Sequence, residues 1–336
     1  MTLRALQPMK SSELAEWTLP VLCYVCEAAN SREAEYCRRC SAPMALAHQA
    51  LGQTARPKMV AILGPSGSGK TVYLGMLMDM LSRQPERLQI VARGAFSIGL
   101  QQTTVSALAR CEFPAKTSTE PESWNWMHCE IHRKETVVAS EPPSFLSRFA
   151  RFTPRKQRTA VTNKSPCVEL VMPDMAGEAI LEEVEHPQTY LLVRSLLRNS
   201  SAVLLLLDAS ELSRGQRDPD FAAMKILSCL KELEIQGGAG RKSRRSVALV
   251  FTKADQVEGC RENPEGFADT YATGAWQYCR QGFRDYAFFA ASVVGGCTWL
   301  EVRGEGRRRI PLRIEPHGII EPFEWILEKL YPQGGP

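Results

Sequence analysis

The sequence predicts an α/β protein in which helices cover both faces of a mostly parallel sheet. Short apolar runs typical of buried strands alternate with helix-like segments from residue 58 to residue 330, and such alternation favours parallel strands with crossover helices. A glycine-rich loop separates the first strand from the first helix, and polar residues follow several later strands. Because the carboxyl ends of parallel strands share one edge, we expect these groups to meet there.

The composition is that of an ordinary soluble protein, with 44% apolar and 23% charged residues. The net charge of +4 is too small to indicate nucleic-acid binding by itself. The longest apolar run, residues 202–207, falls far short of the roughly 18 residues that cross a bilayer. Residues 1–17 lack the pattern of a signal peptide. We therefore expect a cytoplasmic protein without a transmembrane segment.

After an N-terminal tail at residues 1–20, the pattern of cysteines predicts a small zinc ribbon at residues 21–44. Two C-x-x-C pairs lie ten residues apart in this segment, and two such turns bring four thiolates into a tetrahedral Zn²⁺ site. The segment is too short to bury a core of its own, so the metal would supply its folding energy. A closed site indicates a structural or docking role. The four ligands are Cys23, Cys26, Cys37 and Cys40.

A phosphate-binding loop is predicted after a linker at residues 45–57 and a strand at residues 58–63. Residues 64–71 read GPSGSGKT and match the pattern G-x-x-x-x-G-K-[ST]. Between a strand and a helix, these glycines let backbone N–H groups surround a polyphosphate, the lysine reaches the β- and γ-phosphates, and the threonine binds Mg²⁺. The predicted nucleotide ligands are Gly64, Ser66, Gly67, Ser68, Gly69, Lys70 and Thr71.

A long insert is predicted around residues 84–165. Residues 84–122 show no clear periodicity, and residues 124–132 predict a strand. Residues 135–165 combine several arginines and lysines with three phenylalanines. This composition is compatible with weak contact to an anionic surface, and a solvated flexible insert is an equal alternative.

Regular alternation then resumes to the end of the domain, which we place at residues 58–332. The pattern predicts strands at residues 167–172, 202–207, 246–251 and 287–293, helices at 221–233, 266–281 and 319–330, and a hairpin at 297–314.

Polar groups at the ends of later strands supply the other parts of a nucleotide site. Asp174 can hold Mg²⁺ through water, and Gly177 can offer its N–H to the γ-phosphate. Asp255 can accept two hydrogen bonds from guanine N1–H and N2–H₂, a donor pair that adenine lacks. Thr252 belongs to the same turn, and we expect the alkyl stem of Lys253 to lie over the base. The backbone of Ser292 and Val293 is expected to contact the guanine carbonyl.

The motifs G-x-x-x-x-G-K-T, D-x-A-G-E, T-K-A-D and A-S-x-x-G together resemble a Ras-like GTPase domain of the translation-factor-related class of P-loop proteins. With the ribbon and the long insert, the chain is similar to bacterial double-GTPase type proteins of signalling or conflict systems. The resemblance implies a three-layer P-loop NTPase fold and a GTP/GDP switch with Mg²⁺. It also implies protein partners or effectors, with a second GTPase as one open alternative.

The chain departs from the Ras-like pattern at positions that matter for hydrolysis. Glu178 stands where Ras-like proteins place a water-orienting glutamine, and its carboxylate would repel the γ-phosphate or act as a base if its pKa were raised. Ser66 replaces a glycine of Ras and would crowd an inserted arginine finger. We therefore expect slow or partner-dependent hydrolysis, with Lys70 and Glu178 as the catalytic candidates. The Mg²⁺-binding threonine of the effector loop is one of Thr103, Thr104, Thr117 and Thr119.

Two other functions remain open from the sequence. A P-loop ATPase or nucleotide kinase would use the same loop, although Asp255 at its strand end argues against adenine. A scaffold that binds nucleotide without hydrolysing it is the second alternative, and Glu178 favours it.

Overall fold

A central β-sheet and the helices that flank it organise the chain. We describe a computed structural model over residues 19–51, 57–83, 88–133, 167–234, 242–302 and 306–331. The strands are β1 (Val21–Leu22), β2 (Ala29–Asn30), β3 (Lys58–Leu63), β4 (Leu88–Ala92), β5 (Asn125–Arg133), β6 (Cys167–Asp174), β7 (Ala202–Asp208), β8 (Ser246–Thr252), β9 (Tyr286–Ala290), β10 (Ser292–Val302) and β11 (Gly306–His317).

The central sheet has seven strands in the order β4-β5-β6-β3-β7-β8-β9. Strands β6, β3, β7, β8 and β9 run parallel, whereas β4 and β5 are antiparallel to their neighbours. The predicted α/β class with a mostly parallel sheet is therefore confirmed. Strands β1 and β2 form a small antiparallel pair, and β10 with β11 forms a long hairpin.

Helices cover both faces of the sheet and give three layers. On β3, Val60 and Ile62 belong to one hydrophobic cluster, while Ala61 and Leu63 belong to the other. This alternation is the two-residue period of a strand that is buried on both faces. The helices are α1 (Met44–Ala50), α2 (Lys70–Arg83), α3 (Gly94–Ala109), α4 (Gly177–Glu185), α5 (Leu191–Asn199), α6 (Ala209–Ser213), α7 (Asp218–Glu234), α8 (Pro264–Tyr271), α9 (Thr273–Gly282) and α10 (Glu321–Leu330).

The first half of the predicted insert is regular structure that the sequence pattern did not indicate. Strand β4 extends the sheet beyond β5, and α3 packs on α2. At this contact a side chain on Gly75 would lie within 3.0 Å of Thr104, so the two helices approach closely. Apolar and polar residues are mixed around α3, which explains why no helical period was visible. The basic residues 135–165 lie outside the described residues.

The cysteine-rich segment packs against the main sheet. Its residues Val25, Cys37 and Ala42 belong to the same hydrophobic cluster as Leu63 of β3. Asn199 at the end of α5 donates to the Val25 carbonyl at 2.7 Å. The ribbon therefore shares the core of the sheet, and this contact adds to whatever a metal contributes.

The predicted linker begins as structure rather than as an extended connection. Residues 45–50 form most of α1, and Gln49 at its end hydrogen-bonds the His128 ring on β5 at 2.7 Å. Residues 52–56 of the predicted linker, and 1–18 of the predicted tail, lie outside the described residues.

Candidate functional site

The glycine-rich loop connects β3 to α2 with three glycines in the left-handed region. Their φ angles are 147° at Gly64, 77° at Gly67 and 84° at Gly69, and L side chains rarely adopt these values. A Cβ on Gly64 would also lie within 3.0 Å of the Leu206 carbonyl oxygen on the neighbouring β7. Glycine at this position therefore serves both the backbone conformation and the close contact between strands.

Lys70 opens α2 and folds back over the loop. Its ammonium donates to the carbonyl oxygens of Gly64 and Pro65, both at 3.0 Å. The residue is only 7% exposed, and burial lowers its pKa to about 8, although the charges of Asp174 and Glu178 oppose the shift. A buried cation whose hydrogen bonds within the described residues go to neutral carbonyls is well suited to an anionic ligand.

Three oxygen-bearing side chains meet at the start of α2. The Thr71 hydroxyl lies 3.1 Å from Asp174 Oδ1 and 3.0 Å from the Thr117 hydroxyl, which lies 3.3 Å from Asp174 Oδ2. Burial raises the pKa of Asp174, against the two threonine hydrogen bonds and the charge of Lys70. Hard oxygen donors of this kind suit Mg²⁺.

The structure separates the four candidate threonines of the effector loop. Thr117 lies with Thr71 and Asp174. Thr104 is buried against Gly75 between α2 and α3, while Thr103 and Thr119 are exposed to solvent. Of the four candidates, Thr117 is therefore the one that lies beside Thr71 and Asp174.

The start of α4 lies against the loop. A Cβ on Gly177 would come within 3.0 Å of the backbone of Pro65 and Ser66, so only glycine allows this approach. Glu178 forms an ion pair with Lys116. Burial alone would raise the pKa of Glu178, yet hydrogen bonds from Lys116 and Ser66 hold it below its usual range.

The turn after β8 is tied to the glycine-rich loop. The Thr252 hydroxyl lies 2.9 Å from the Ser68 carbonyl oxygen and 3.1 Å from that of Leu207. Lys253 adopts the left-handed conformation with φ 56°, and its ammonium pairs with Asp208 at the end of β7. That ion pair fixes the end of the side chain whose alkyl stem we expected over the base.

Asp255 presents one carboxylate oxygen that has no partner among the described residues. Its Oδ1 is buried and makes no hydrogen bond within the described part of the chain. Burial raises its pKa, and the charges of Arg261 and Arg309 oppose the shift. Buried polar atoms are normally hydrogen-bonded, so this oxygen is free to accept from a ligand.

One cavity of about 470 Å³ brings these groups together. Its lining includes most of the predicted residues: Ser66, Gly67, Gly69, Lys70, Thr71, Gly177, Glu178, Thr252, Lys253, Asp255, Ser292 and Val293. Two further predicted residues bond to the lining of this cavity. Asp174 accepts a hydrogen bond from Thr71, and the Ser68 carbonyl accepts one from Thr252. Gly64 adjoins β7 and accepts from Lys70.

The cavity also has walls that the sequence reasoning missed. Phe113 and Lys116 come from the segment between α3 and β5, and Cys297 and Arg309 come from the β10–β11 hairpin. One signal in the sequence could have indicated that the hairpin lines the cavity. Its first strand starts at Ser292, which is itself a predicted ligand. Which hairpin residues face the cavity depends on strand register, where Trp299 pairs with Arg309 and Cys297 with Pro311.

The four ribbon cysteines form a compact sulfur cluster. All four Sγ atoms lie within 4.8 Å of one another, with Cys23 and Cys40 at 3.7 Å and Cys26 and Cys37 at 3.6 Å. A tetrahedral Zn²⁺ site with Zn–S bonds of about 2.3 Å places sulfurs about 3.8 Å apart. The cluster therefore fits zinc.

The two cysteine turns share one backbone pattern. In each, the carbonyl of the first cysteine accepts from the N–H four residues on, Glu27 at 3.0 Å and Ser41 at 2.9 Å. Glu27 and Ser41 both have φ 61°. Cys37 Sγ also accepts from the Arg39 N–H at 3.4 Å, and such N–H···S bonds support thiolate ligands.

Comparisons with known proteins give limited matches. No family model matches the chain. It is 26% identical over 82 residues to the flagellar biosynthesis protein FlhF of Aquifex aeolicus (strain VF5), covering 24% of this chain and 22% of that protein. The chain thus spans about a fifth of the length of this curated relative.

Two solved structures match the chain at low similarity. The Ski7 GTPase-like domain of S. cerevisiae, bound to GDP and inorganic phosphate, matches with 14% identity and a TM-score of 0.34, covering 70% of this chain and 43% of that chain. The signal recognition particle receptor SRb-GTP/SRX complex of Chaetomium thermophilum matches with 16% identity and a TM-score of 0.35, covering 72% of this chain and 93% of that chain.

Within the described ranges, no helix is long and apolar enough to span a membrane.

Proposed function

We propose that this protein is a guanine-nucleotide switch that hydrolyses GTP to GDP and phosphate slowly unless a partner assists. The observation that carries the proposal is the convergence of three groups on one cavity of about 470 Å³. They are a glycine loop with a buried lysine, a cluster of oxygen donors, and a carboxylate whose buried Oδ1 has no partner among the described residues. These groups suit a polyphosphate, a divalent cation and a hydrogen-bond donor pair, and the volume suits one small ligand.

At the phosphate end, the loop from Gly64 to Thr71 would hold the polyphosphate through backbone N–H groups and the start of α2. Lys70 would exchange its two carbonyl partners for phosphate oxygens. Thr71, Thr117 and Asp174 would hold Mg²⁺, which supplies positive charge to the β- and γ-phosphates. Gly177 would offer its N–H to the γ-phosphate, since no side chain separates it from the loop.

At the base end, Asp255 would accept the N1–H and N2–H₂ of guanine. Adenine carries no such donor pair, so the buried Oδ1 of Asp255 would stay unpaired with it. Thr252 and Lys253 position this turn through Ser68 and Asp208. The Ser292–Val293 backbone, with the Ser292 hydroxyl bonded to Arg261 at 2.7 Å, would close the site around the base.

Hydrolysis is the weak step of the proposed cycle. Glu178 is held ionised by Lys116 and Ser66, and a carboxylate with a lowered pKa is a poor general base. Lys70, together with Mg²⁺ when it is bound, would stabilise the charge that develops on the leaving GDP. A partner that reorganises Glu178 would then accelerate the reaction.

The decisive test of the proposal is nucleotide choice. Fluorescent GDP and ADP are titrated against the purified full chain under the same Mg²⁺ and salt conditions. We expect GDP to bind at least about a hundredfold more tightly, because ADP leaves Asp255 unpaired. Equal affinities, or a preference for ADP, would make the protein a P-loop ATPase or nucleotide kinase and would sink the guanine assignment.

A non-hydrolysing scaffold is the second candidate, and the Glu178–Lys116 ion pair favours it. Single-turnover assays with radiolabelled GTP distinguish the two functions, using the wild type and Glu178→Gln. A switch releases phosphate in at least one of the two proteins. Absence of release from both, under conditions where GTP is bound, leaves the scaffold.

We also propose that the ribbon at residues 21–44 holds one Zn²⁺ structurally. Elemental analysis of purified protein should give about one zinc per chain, and Cys26→Ser should lose it and lower the melting temperature. Cys111→Ser is the matched control, since Cys111 is exposed and outside the cluster. Full zinc content in Cys26→Ser would contradict the assignment.

The proposed setting is a bacterial signalling or conflict-type system in the cytoplasm. Protein partners or effectors, including a second GTPase, would read the nucleotide state of the 58–332 domain. The basic residues 135–165 would add weak contact to an anionic surface. Pull-downs with GTP- and GDP-loaded protein test this setting, and identical partner sets in both states would contradict a switch.

A further inference from the structure

The Lys116–Glu178 ion pair joins two segments that already lie close together, because Thr117 hydrogen-bonds Asp174 just before α4. Lys116 belongs to the segment between α3 and β5, and Glu178 belongs to the first turn of α4. The side chains are 70% and 37% exposed. Exposed ion pairs contribute little to stability, so breaking this pair costs little free energy.

The pair lies at the phosphate end of the cavity. Both residues line it, and Lys116 directly precedes Thr117 of the oxygen cluster. Lys70 lines the same cavity, and the charge of Lys116 contributes to the lowered pKa of Lys70. Glu178 also accepts from Ser66 of the loop. The cation is therefore held beside the loop by a carboxylate.

A terminal phosphate would compete for this cation. The phosphate is a stronger hydrogen-bond acceptor than the carboxylate and carries more charge. The flexible four-carbon stem of Lys116 lets its ammonium change partners. If Lys116 were removed, Glu178 would face the phosphate as an uncompensated negative charge.

We propose that Lys116 is a specificity-determining residue that distinguishes nucleoside triphosphate from diphosphate by exchanging Glu178 for the terminal phosphate. The inference rests on the proposed nucleotide function. The exchange frees the first turn of α4 and fixes the segment that carries Thr117. Both segments thereby respond to the same phosphate.

The test compares Lys116→Met, Glu178→Gln and the double variant. Methionine keeps the stem and removes the charge, and glutamine keeps the shape and removes the negative partner. Affinities for GDP and a non-hydrolysable GTP analogue are measured by fluorescence titration, with circular dichroism as the folding check. Lys116→Met should weaken the triphosphate by about tenfold and GDP by less than about twofold. Glu178→Gln should strengthen triphosphate binding both in the wild type, where it removes the competing partner of Lys116, and in Lys116→Met, where it removes an uncompensated negative charge, so the two substitutions should be non-additive.

Helix α4 supplies a matched control. Glu185 lies two turns after Glu178 and pairs with Lys225 at 2.6 Å, with side-chain exposures of 44% and 51%. Neither residue lines the cavity. Glu185→Gln and Lys225→Met should therefore leave both affinities unchanged.

The outcomes separate this inference from the proposed function. Equal weakening of both nucleotides by Lys116→Met, or no weakening, overturns the role of Lys116 while nucleotide binding stands. A wild type that prefers adenine overturns the guanine assignment alone, and the same comparison with ADP and an ATP analogue still decides the role of Lys116. A wild type that binds no nucleoside triphosphate overturns both.

Discussion

The phosphate end and the base end of the cavity are prepared for a ligand in opposite ways. At the phosphate end, Lys70, Thr71 and Thr117 already have partners within the protein. At the base end, Asp255 Oδ1 has no partner among the described residues, while Thr252 and Lys253 are engaged behind it.

This difference implies two kinds of recognition. The phosphate end must exchange existing bonds, so its contribution depends on how strongly the new acceptor attracts each donor. The base end only completes an unmet hydrogen bond, so its contribution is the removal of a desolvation cost. Phosphate contacts should therefore set most of the affinity, and Asp255 should set the choice of base.

Removing the charge at the phosphate end should give the largest effect. Lys70→Met should weaken GDP binding by more than about a hundredfold, because the variant loses charge-assisted hydrogen bonds worth about 1.5–3 kcal/mol each. Lys58→Met is the control, since Lys58 also donates to a backbone carbonyl, that of Leu330 at 2.8 Å, but lies away from the cavity. Unchanged GDP affinity in Lys70→Met would contradict the inference that phosphate contacts set most of the affinity.

Changing the base end should alter choice more than overall binding. Asp255→Asn should weaken GDP by about a hundredfold and strengthen xanthosine diphosphate, whose C2 oxygen accepts from an amide. Competition titrations with both nucleotides measure the ratio, and Asp269→Asn on the exposed side of α8 serves as the control. A variant that loses both nucleotides equally would show that Asp255 supports the turn and does not read the base.

The affinity contributed by the two ends should fall at opposite ends of the pH range. Burial lowers the pKa of Lys70 to about 8 in the free protein, and bound phosphate would raise it. Binding then takes up a proton above pH 8, so affinity should fall by up to about tenfold per pH unit there. Because burial raises the pKa of Asp255 and guanine needs the ionised form, GDP affinity should also fall towards acid pH.

Titrations in EDTA keep the metal chemistry of Asp174 out of this pH profile. Inorganic tripolyphosphate, which has no base, should show the alkaline fall alone. Asp255→Asn should likewise lose the acid fall for its preferred nucleotide. A flat alkaline profile with tripolyphosphate would contradict the role given to Lys70.

Cutting the connection between the two ends should give the smallest effect. Thr252→Val removes the hydroxyl that bonds the Ser68 carbonyl, at a cost of about 1 kcal/mol. We expect a fall of a few degrees in melting temperature and a loss of several-fold in GDP affinity. Thr270→Val, whose hydroxyl bonds only within its own helix at Gly266, should change neither. Wild-type affinity in Thr252→Val would mean that the ends act independently.

The sequence predicts the sheet and the loop well because both follow from local pattern. Buried strands such as β7 and β8 are continuous apolar runs, and the glycine loop is fixed by spacing between a strand and a helix. Helix α3 was missed since its apolar residues do not favour one side. Strand β4 was missed because five residues at an edge of the sheet carry too little pattern.

The parts of the site that escaped prediction depend on distant contacts. Thr117 could not be chosen from the four threonines because no local pattern fixes how many residues separate it from Lys70. Its contacts with Thr71 and Asp174 exist only in the folded protein. Lys116 and Arg309 enter the cavity only through the folding of α3 and the hairpin. The Lys253–Asp208 ion pair likewise joins the ends of two strands.

The anchoring of the segment that carries Lys116 and Thr117 limits how far it can travel. It leaves α3 at Ala109 and enters β5 at Asn125, and near its end the Trp124 indole donates to the Ser118 carbonyl at 2.8 Å. The segment is thus anchored at both ends, and the Trp124–Ser118 hydrogen bond fixes it two residues after Lys116. Backbone hydrogen bonds also hold residues 110–112 to the last turn of α3. A movement of Thr117 is therefore confined to residues 113–117 and leaves the register of β5 on the sheet unchanged.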